Sequence, residues 1–270
     1  MVNPEISKLF RCYFLACPTS YSRDHPGTPI ATTFAVSSIS WSRPAGLDGR
    51  APGKLRIHSG TWHRIGEFLV QDCYSILDRP FWIFDMDGTL TISRHDFEAI
   101  RQDLGLPDGA PILEALNAMP PSEAEPLWQI LNEHEHRAAE NPTSMPGALD
   151  LLQALAARQV RMGIITRNMM PVAHKTLAAC GFDGFFEEAS ILDRDSCIPK
   201  PSPEGVLHLL NVWEASPDDT VMVGDYLFDL QAGRAAGVAT IHVDTTGQFP
   251  WPDMSDLCVT CLHELEVGLT

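Results

Sequence analysis

Residues 81–90 read Phe-Trp-Ile-Phe-Asp-Met-Asp-Gly-Thr-Leu. Four apolar residues stopped abruptly by Asp85 are the pattern of a strand buried on both faces of a parallel sheet. Val160 to Ile165, Thr220 to Val223 and Ala239 to Val243 repeat that pattern downstream. Helical spacing fills the intervals. Ala148 to Gln159 sets Leu149, Leu152 and Leu155 at three-residue steps, and Met170 to Cys180 is followed by Gly181 as a cap. Pro203 to Trp213 opens on a first-turn proline, and Leu227 to Ala236 ends at Gly237. This alternation predicts an α/β fold: a Rossmann-like parallel sheet with helices on both faces. Ligands on such sheets bind beyond the carboxyl ends of the strands.

Those ends carry the polar residues. Asp85-Met86-Asp87-Gly88-Thr89 follows the first strand, Thr166-Arg167-Asn168 the second, and Gly224-Asp225 the third, with Asp229 one helical turn on. Lys200 lies between the second and third, in Ile-Pro-Lys-Pro-Ser-Pro-Glu-Gly. If the strands are neighbours, Asp85, Asp87 and Asp225 converge, and carboxylates that close cannot all ionise without a cation among them. Oxygen ligands beside a phosphate suit Mg²⁺. Lys200 and Thr166 then offer a positive charge and a hydroxyl donor to a phosphoryl group. Taken singly, Asp85 or Thr166 reads as a turn or cap residue, Lys200 as a solvated lysine and Asp229 as a first-turn helix acid. The coincidence of all four elements, in order, outweighs those readings.

On these motifs the chain resembles the haloacid-dehalogenase superfamily, phosphoglycolate-phosphatase-like branch, over about residues 80–268. The resemblance implies that Asp85 is a nucleophile forming an aspartyl-phosphate and that Asp87 is the general acid and then base. It implies that Asp225 binds Mg²⁺ with the Asp85 carboxylate and the Asp87 backbone carbonyl. Thr166 and Lys200 hold the phosphoryl oxygens, and Asp229 orients Lys200 or a metal-bound water. Gly88 and Asn168 support the site. An acid at Asp87 favours phosphate esters over halides, because halide leaves without a proton. The implied activity is a Mg²⁺-dependent phosphatase acting on a small phosphate ester. A β-phosphoglucomutase-type phosphomutase shares all four motifs, and a non-catalytic binding protein of the same fold is a third reading.

Between Leu90 and Pro146 lie about 55 residues, which the resemblance makes a helical cap over the site. The division expected is a core of 65–90 and 146–270 with a cap of 91–145. Within the cap, Ser-Arg-His-Asp-Phe-Glu-Ala-Ile-Arg-Gln-Asp-Leu-Gly and Glu125 to Asn141 read as amphipathic helices, separated by a Pro-rich turn at 119–126. His134 and His136, with Glu133 and Glu135, read as a solvated helix end, since residues two apart do not share a helix face. Arg94 and His95 lie just past the nucleophile loop, within possible reach of a substrate or simply on the surface.

The whole chain of 270 residues carries 19 basic and 35 acidic side chains, a net of −16, which excludes a general affinity for nucleic acid or anionic membrane. No apolar run approaches the roughly 18 residues of a membrane span. Residues 1–64 depart from the rest, with eight basic residues against three acids and many Ser, Thr, Pro and Gly. They read as a disordered or targeting-like leader: an organellar transit peptide, an unstructured extension or an overextended start. The compartment is accordingly cytoplasmic, or chloroplast or mitochondrion if the leader targets. Trp62 to Leu77 has a helical apolar stripe, so folding starts near residue 62. Seven scattered cysteines form no disulfide framework, and Cys258, Cys261 and His263 outline half a zinc site that reads instead as a C-terminal strand.

Overall fold

The computed structural model describes residues 76–269, together with the backbone of two short strands nearer the amino terminus. Those two, β1 (Ile39–Ser42) and β2 (Lys54–Ile57), pair antiparallel with Ile39 opposite Ile57. Otherwise the expectations for the leader, and for a helix over 62–77 up to Ile76, lie outside the described residues.

The main sheet has six strands: β3 (Phe81–Phe84), β4 (Arg161–Ile165), β5 (Ile191–Leu192), β6 (Thr220–Gly224), β7 (Ala239–Val243) and β8 (Leu257–Val259). They lie in the order β5-β4-β3-β6-β7-β8, every neighbouring pair parallel. Successive side chains of a strand face opposite ways, and the core divides accordingly. Trp82, Phe84, Ile164, Val221 and Val223 pack on one face with α4 (Ala148–Ala157), α5 (Met170–Cys180) and α8 (His263–Leu269). Ile83, Ile165 and Met222 pack on the other with α6 (Glu204–Trp213) and α7 (Leu227–Ala236). Because each face is covered, the strands are largely apolar, with Thr240 and His242 of β7 as buried polar exceptions. Gly181 and Gly237 close α5 and α7 in the left-handed conformation, with φ of 72° and 79°.

From β3 the chain winds outward one way through β4 and β5, and from β6 the other way through β7 and β8. Strand order therefore reverses between β3 and β6, and the crevice for a ligand opens there. A helical insert leaves the sheet after β3: α1 (Phe97–Asp103), α2 (Ile112–Asn117) and α3 (Pro121–Ala138). Ile100, Leu104, Ile112, Leu113, Leu116 and Leu131 give it a small core of its own.

Two expectations are corrected. Leu149 is exposed, and the buried face of α4 runs through Ala148, Leu151, Leu152 and Leu155, a 3.6-residue stripe rather than a three-residue one. The Pro-rich run is not a turn between helices: Pro120 caps α3, Pro121 opens it, and the helix continues through Pro126. A first-turn proline sacrifices no backbone bond, so Pro121 favours a helix start. The two-residue β5 and the six-residue α2 are too short to leave a period in the sequence. Cys258 lies on β8 as expected, and the Cys261 thiol is 3.8 Å from Glu264 Oε1.

Close packing gives one direct test. A Cβ on Gly163 of β4 would stand 2.7 Å from the Trp213 ring and 3.0 Å from Leu209. The Trp213 N–H donates to Ser190 Oγ at 3.0 Å and its ring stacks on Phe81, so the indole cannot retreat freely. Gly163→Ala is expected to cost about 1–3 kcal/mol in urea unfolding; an unchanged midpoint would contradict the packing.

Candidate active site

Asp85 is the first residue past β3, and its N–H donates to the Val223 carbonyl on β6 at 2.9 Å, which fixes it across the crevice. Its Oδ1 accepts from Lys200 Nζ at 2.5 Å. Lys200 is buried, and the same ammonium lies 2.7 Å from Asp229 Oδ1. Asp229 is set by the start of α7, where its Oδ2 accepts the Tyr226 N–H at 3.0 Å in a reciprocal cap. Gly224 has to be a glycine here, since a Cβ on it would stand 2.2 Å from the Asp229 Cβ.

Asp225 completes this cluster. Its Oδ1 accepts from Thr89 Oγ1 at 3.1 Å, and its carbonyl is 3.2 Å from His242 Nε2. Gly88 has φ +97°, and a Cβ there would fall 2.3 Å from Asp225 Oδ2. The loop can therefore approach the carboxylate only with glycine at this position.

Asp87 faces a second set of partners. Thr91 Oγ1 donates to its Oδ1 at 3.2 Å, Asn168 Nδ2 donates to its Oδ2 at 2.5 Å, and His95 Nε2 is 3.8 Å away. Thr166 is buried at the end of β4, where its Oγ1 accepts the Asn168 N–H at 3.2 Å. The candidates at the four strand and loop ends thus meet in one crevice.

Some participants left little mark in the sequence. Glu135, grouped above with a solvated helix end, is buried and paired with the buried Arg194, and its Oε2 accepts the Met169 N–H at 3.2 Å. Its neighbours are polar, so only its place on the helix face that meets the core distinguishes it. His134 is bonded to Asp103 at 2.8 Å. Arg167 forks onto Glu114 of α2 at 2.9 and 2.8 Å and donates to the Lys200 carbonyl. Of the two residues past the Asp85–Thr91 loop, His95 turns to Asp87, while Arg94 donates to Thr143 Oγ1 at 2.7 Å.

The electrostatics are unbalanced. Burial lowers the Lys200 ammonium, but Asp229 and Asp85 outweigh it and hold the group up at about 12. Burial raises Asp85 to about 7 despite the pull of Lys200, with Asp229 and Asp87 adding to the rise. Burial, then Asp85 and Asp229, carry Asp225 to about 8. Among the described residues one acidic group could share a cation: Asp85, Asp225 and Asp229, with ligand oxygens within 4.8 Å of one another. Hard carboxylate oxygens with one cation too few fit a divalent ion such as Mg²⁺.

The profile of the haloacid dehalogenase-like hydrolases matches residues 98–243. The chain belongs to that family. A haloacid dehalogenase-like hydrolase domain-containing protein of Arabidopsis thaliana is 31% identical over 64% of this chain and 74% of its own length. The pyrophosphatase PpaX of Oceanobacillus iheyensis is 30% identical over 60% of this chain and 81% of its own. In fold, the hydrolase resembles CbbY of Rhodobacter sphaeroides, solved with phosphate, at TM-score 0.55 and 21% identity, covering 71% of this chain and 99% of that one. Among the described residues of this family member, no helix is long and apolar enough to cross a membrane.

The charge imbalance makes stability depend on pH. Asp85 and Asp225 stand at about 7 and about 8 in the folded protein, above their ordinary 3.8. The folded state therefore holds extra protons, and that contribution to stability, full below the ordinary value, is lost as pH rises through the folded ones. Without divalent cation, Tm is expected to fall from about pH 5 to about pH 8.5. Added Mg²⁺ should raise Tm more at the upper end, where it no longer competes with protons. Equal Mg²⁺ shifts at both ends would contradict this.

Proposed function

We propose that the protein is a Mg²⁺-dependent phosphatase that hydrolyses a small phosphate ester through an aspartyl-phosphate on Asp85. The observation that carries this reading is the Lys200 ammonium, 2.5 Å from Asp85 in the crevice where strand order reverses, with Asp225 in the same cluster. A carboxylate beside a fixed cation and an acid-rich metal site is suited to attack phosphorus, whose transferring oxygens need positive charge around them.

In the first half, an Asp85 oxygen bonds to phosphorus and the ester P–O bond breaks. Protonated Asp87 gives its proton to the departing alkoxide. Asn168 and Thr91 orient that carboxyl group. In the second half, Asp87, now a carboxylate, takes a proton from water as the water oxygen bonds to phosphorus. The bond to Asp85 breaks, and inorganic phosphate leaves. Lys200 and Thr166 hold the phosphoryl oxygens throughout, and Asp229 keeps the lysine in line. Asp85 and Asp225, with the Asp87 carbonyl, would hold Mg²⁺, which when bound supplies the positive charge that keeps Asp85 ionised and draws charge from the phosphoryl group. The helical insert acts as a cap that excludes water.

The names of relatives agree with this chemistry: one is a pyrophosphatase, and the Rhodobacter structure contains phosphate. The net charge of −16 favours a small substrate over nucleic acid.

Phosphate release from p-nitrophenyl phosphate should require Mg²⁺, stop with EDTA, and fall about 10³-fold or more in Asp85→Asn. In kcat/KM, which reports phosphoryl transfer to Asp85 and not the later hydrolysis common to all substrates, Asp87→Asn should lose about 10²–10⁴-fold on alkyl phosphates but much less on p-nitrophenyl phosphate, whose leaving group needs little protonation. Equal losses in kcat/KM on both would remove Asp87 from the role of acid toward the leaving group.

A further inference from the structure

The loop that carries Lys200 runs from Ile198 to Pro203, with prolines at 199, 201 and 203. Proline has no N–H, so half of these positions can donate no main-chain hydrogen bond. Within the loop, the Ser202 N–H donates to the Pro199 carbonyl at 3.1 Å. The Lys200 carbonyl is taken by a side chain from another loop, that of Arg167, the residue after Thr166. Arg167 Nη1 gives one N–H to that carbonyl and the other to Glu114 Oε1 at 2.9 Å, while Nη2 donates to Glu114 Oε2 at 2.8 Å. The same guanidinium lies 4.9 Å over the ring of Phe228, which precedes Asp229 on α7.

One planar group thus touches the Lys200 loop, α2 of the insert and the ring beside Asp229. A guanidinium holds its donors in a fixed plane, so its orientation at one partner sets its orientation at the others. With both Glu114 oxygens engaged, Nη1 is turned to the Lys200 carbonyl. Lys200 itself has a flexible four-carbon stem, and its ammonium lies between Asp85 and Asp229. In the proposed reaction an Asp85 oxygen bonds to phosphorus, and the negative charge of that carboxylate falls. The ammonium then depends more on Asp229 and on where the main chain places its stem. The Arg167 and Glu114 side chains are 24% and 44% exposed, so water screens the pair and it adds little to stability. A large effect of this fork on rate is therefore separable from an effect on folding.

Resting on the phosphatase reading of this site, we infer that Arg167 is a positioning residue for Lys200 and that Glu114, from the insert, sets Arg167. The fork carries the seating of the insert to the ammonium that holds the phosphoryl group. Both residues act through Lys200 and not on the substrate directly.

Rates on p-nitrophenyl phosphate with Mg²⁺ test this, with inorganic phosphate as a competing ligand and Asp85→Asn as the blank. Arg167→Gln should lower kcat/KM about 10–100-fold and weaken inhibition by phosphate, with Tm nearly unchanged. Arg167→Lys should fall nearly as far, because an ammonium keeps the charge but lacks the fork. Glu114→Gln should lose less, and should cost nothing further in the Arg167→Gln background. In Lys200→Met protein the Arg167→Gln loss should likewise vanish; if that variant does not fold, phosphate inhibition and the Glu114–Arg167 cycle decide without it. Full activity in Arg167→Lys, unchanged inhibition by phosphate in Arg167→Gln, or independent losses at residues 114 and 167 would overturn the inference while leaving the phosphatase reading in place. No Asp85-dependent release from the unsubstituted protein would overturn both.

Discussion

A buried ammonium between two carboxylates organises this molecule. Lys200 has almost no contact with water, yet it stays charged because Asp85 and Asp229 lie 2.5 and 2.7 Å from it. Ions leave water only when paired and hydrogen-bonded, so each of the three depends on the other two. Their placement draws on the whole core: β3 delivers Asp85, the cap of α7 delivers Asp229, and Arg167 anchors the carbonyl of Lys200. Asp225 then leaves the cluster with more negative than positive charge. That surplus suits a divalent cation, and the cation together with Lys200 suits a phosphoryl group.

The insert is tied to the same chemistry by ion pairs. Glu135 of α3 reaches Arg194 after β5, and Glu114 of α2 reaches Arg167 after β4. Each pair joins the insert to a loop that adjoins Thr166 or Lys200.

Much of the core was legible because it obeys short-range rules. Phe81 to Phe84, Val160 to Ile165, Thr220 to Val223 and Ala239 to Val243 are mostly apolar since both sheet faces are covered, with Arg161, Thr220, Thr240 and His242 as the exceptions, and the observed strands differ by a residue at most. Asp85, Asp87, Thr166, Lys200, Asp225 and Asp229 stood out because each follows a strand or interrupts a loop with a polar group that packing alone does not require. The insert was less legible. Pro121 starts α3 instead of marking a turn, and α2 holds only six residues. Glu135 and Arg194 look like ordinary surface charges, because a pair formed across 59 residues of chain has no local pattern. Leu149 misled for the related reason that three-residue steps drift off a helix face within two turns.

The central claim is that Asp85 carries the phosphoryl group. Acyl phosphates are reduced by borohydride to alcohols, whereas free carboxylates are not. Asp87→Asn protein turning over p-nitrophenyl phosphate with Mg²⁺, quenched into borohydride and digested, should give a peptide in which the residue-85 side chain is reduced to its alcohol. The account predicts that product at residue 85, dependent on both substrate and Mg²⁺. Sustained turnover with residue 85 unreduced in every recovered peptide would contradict it.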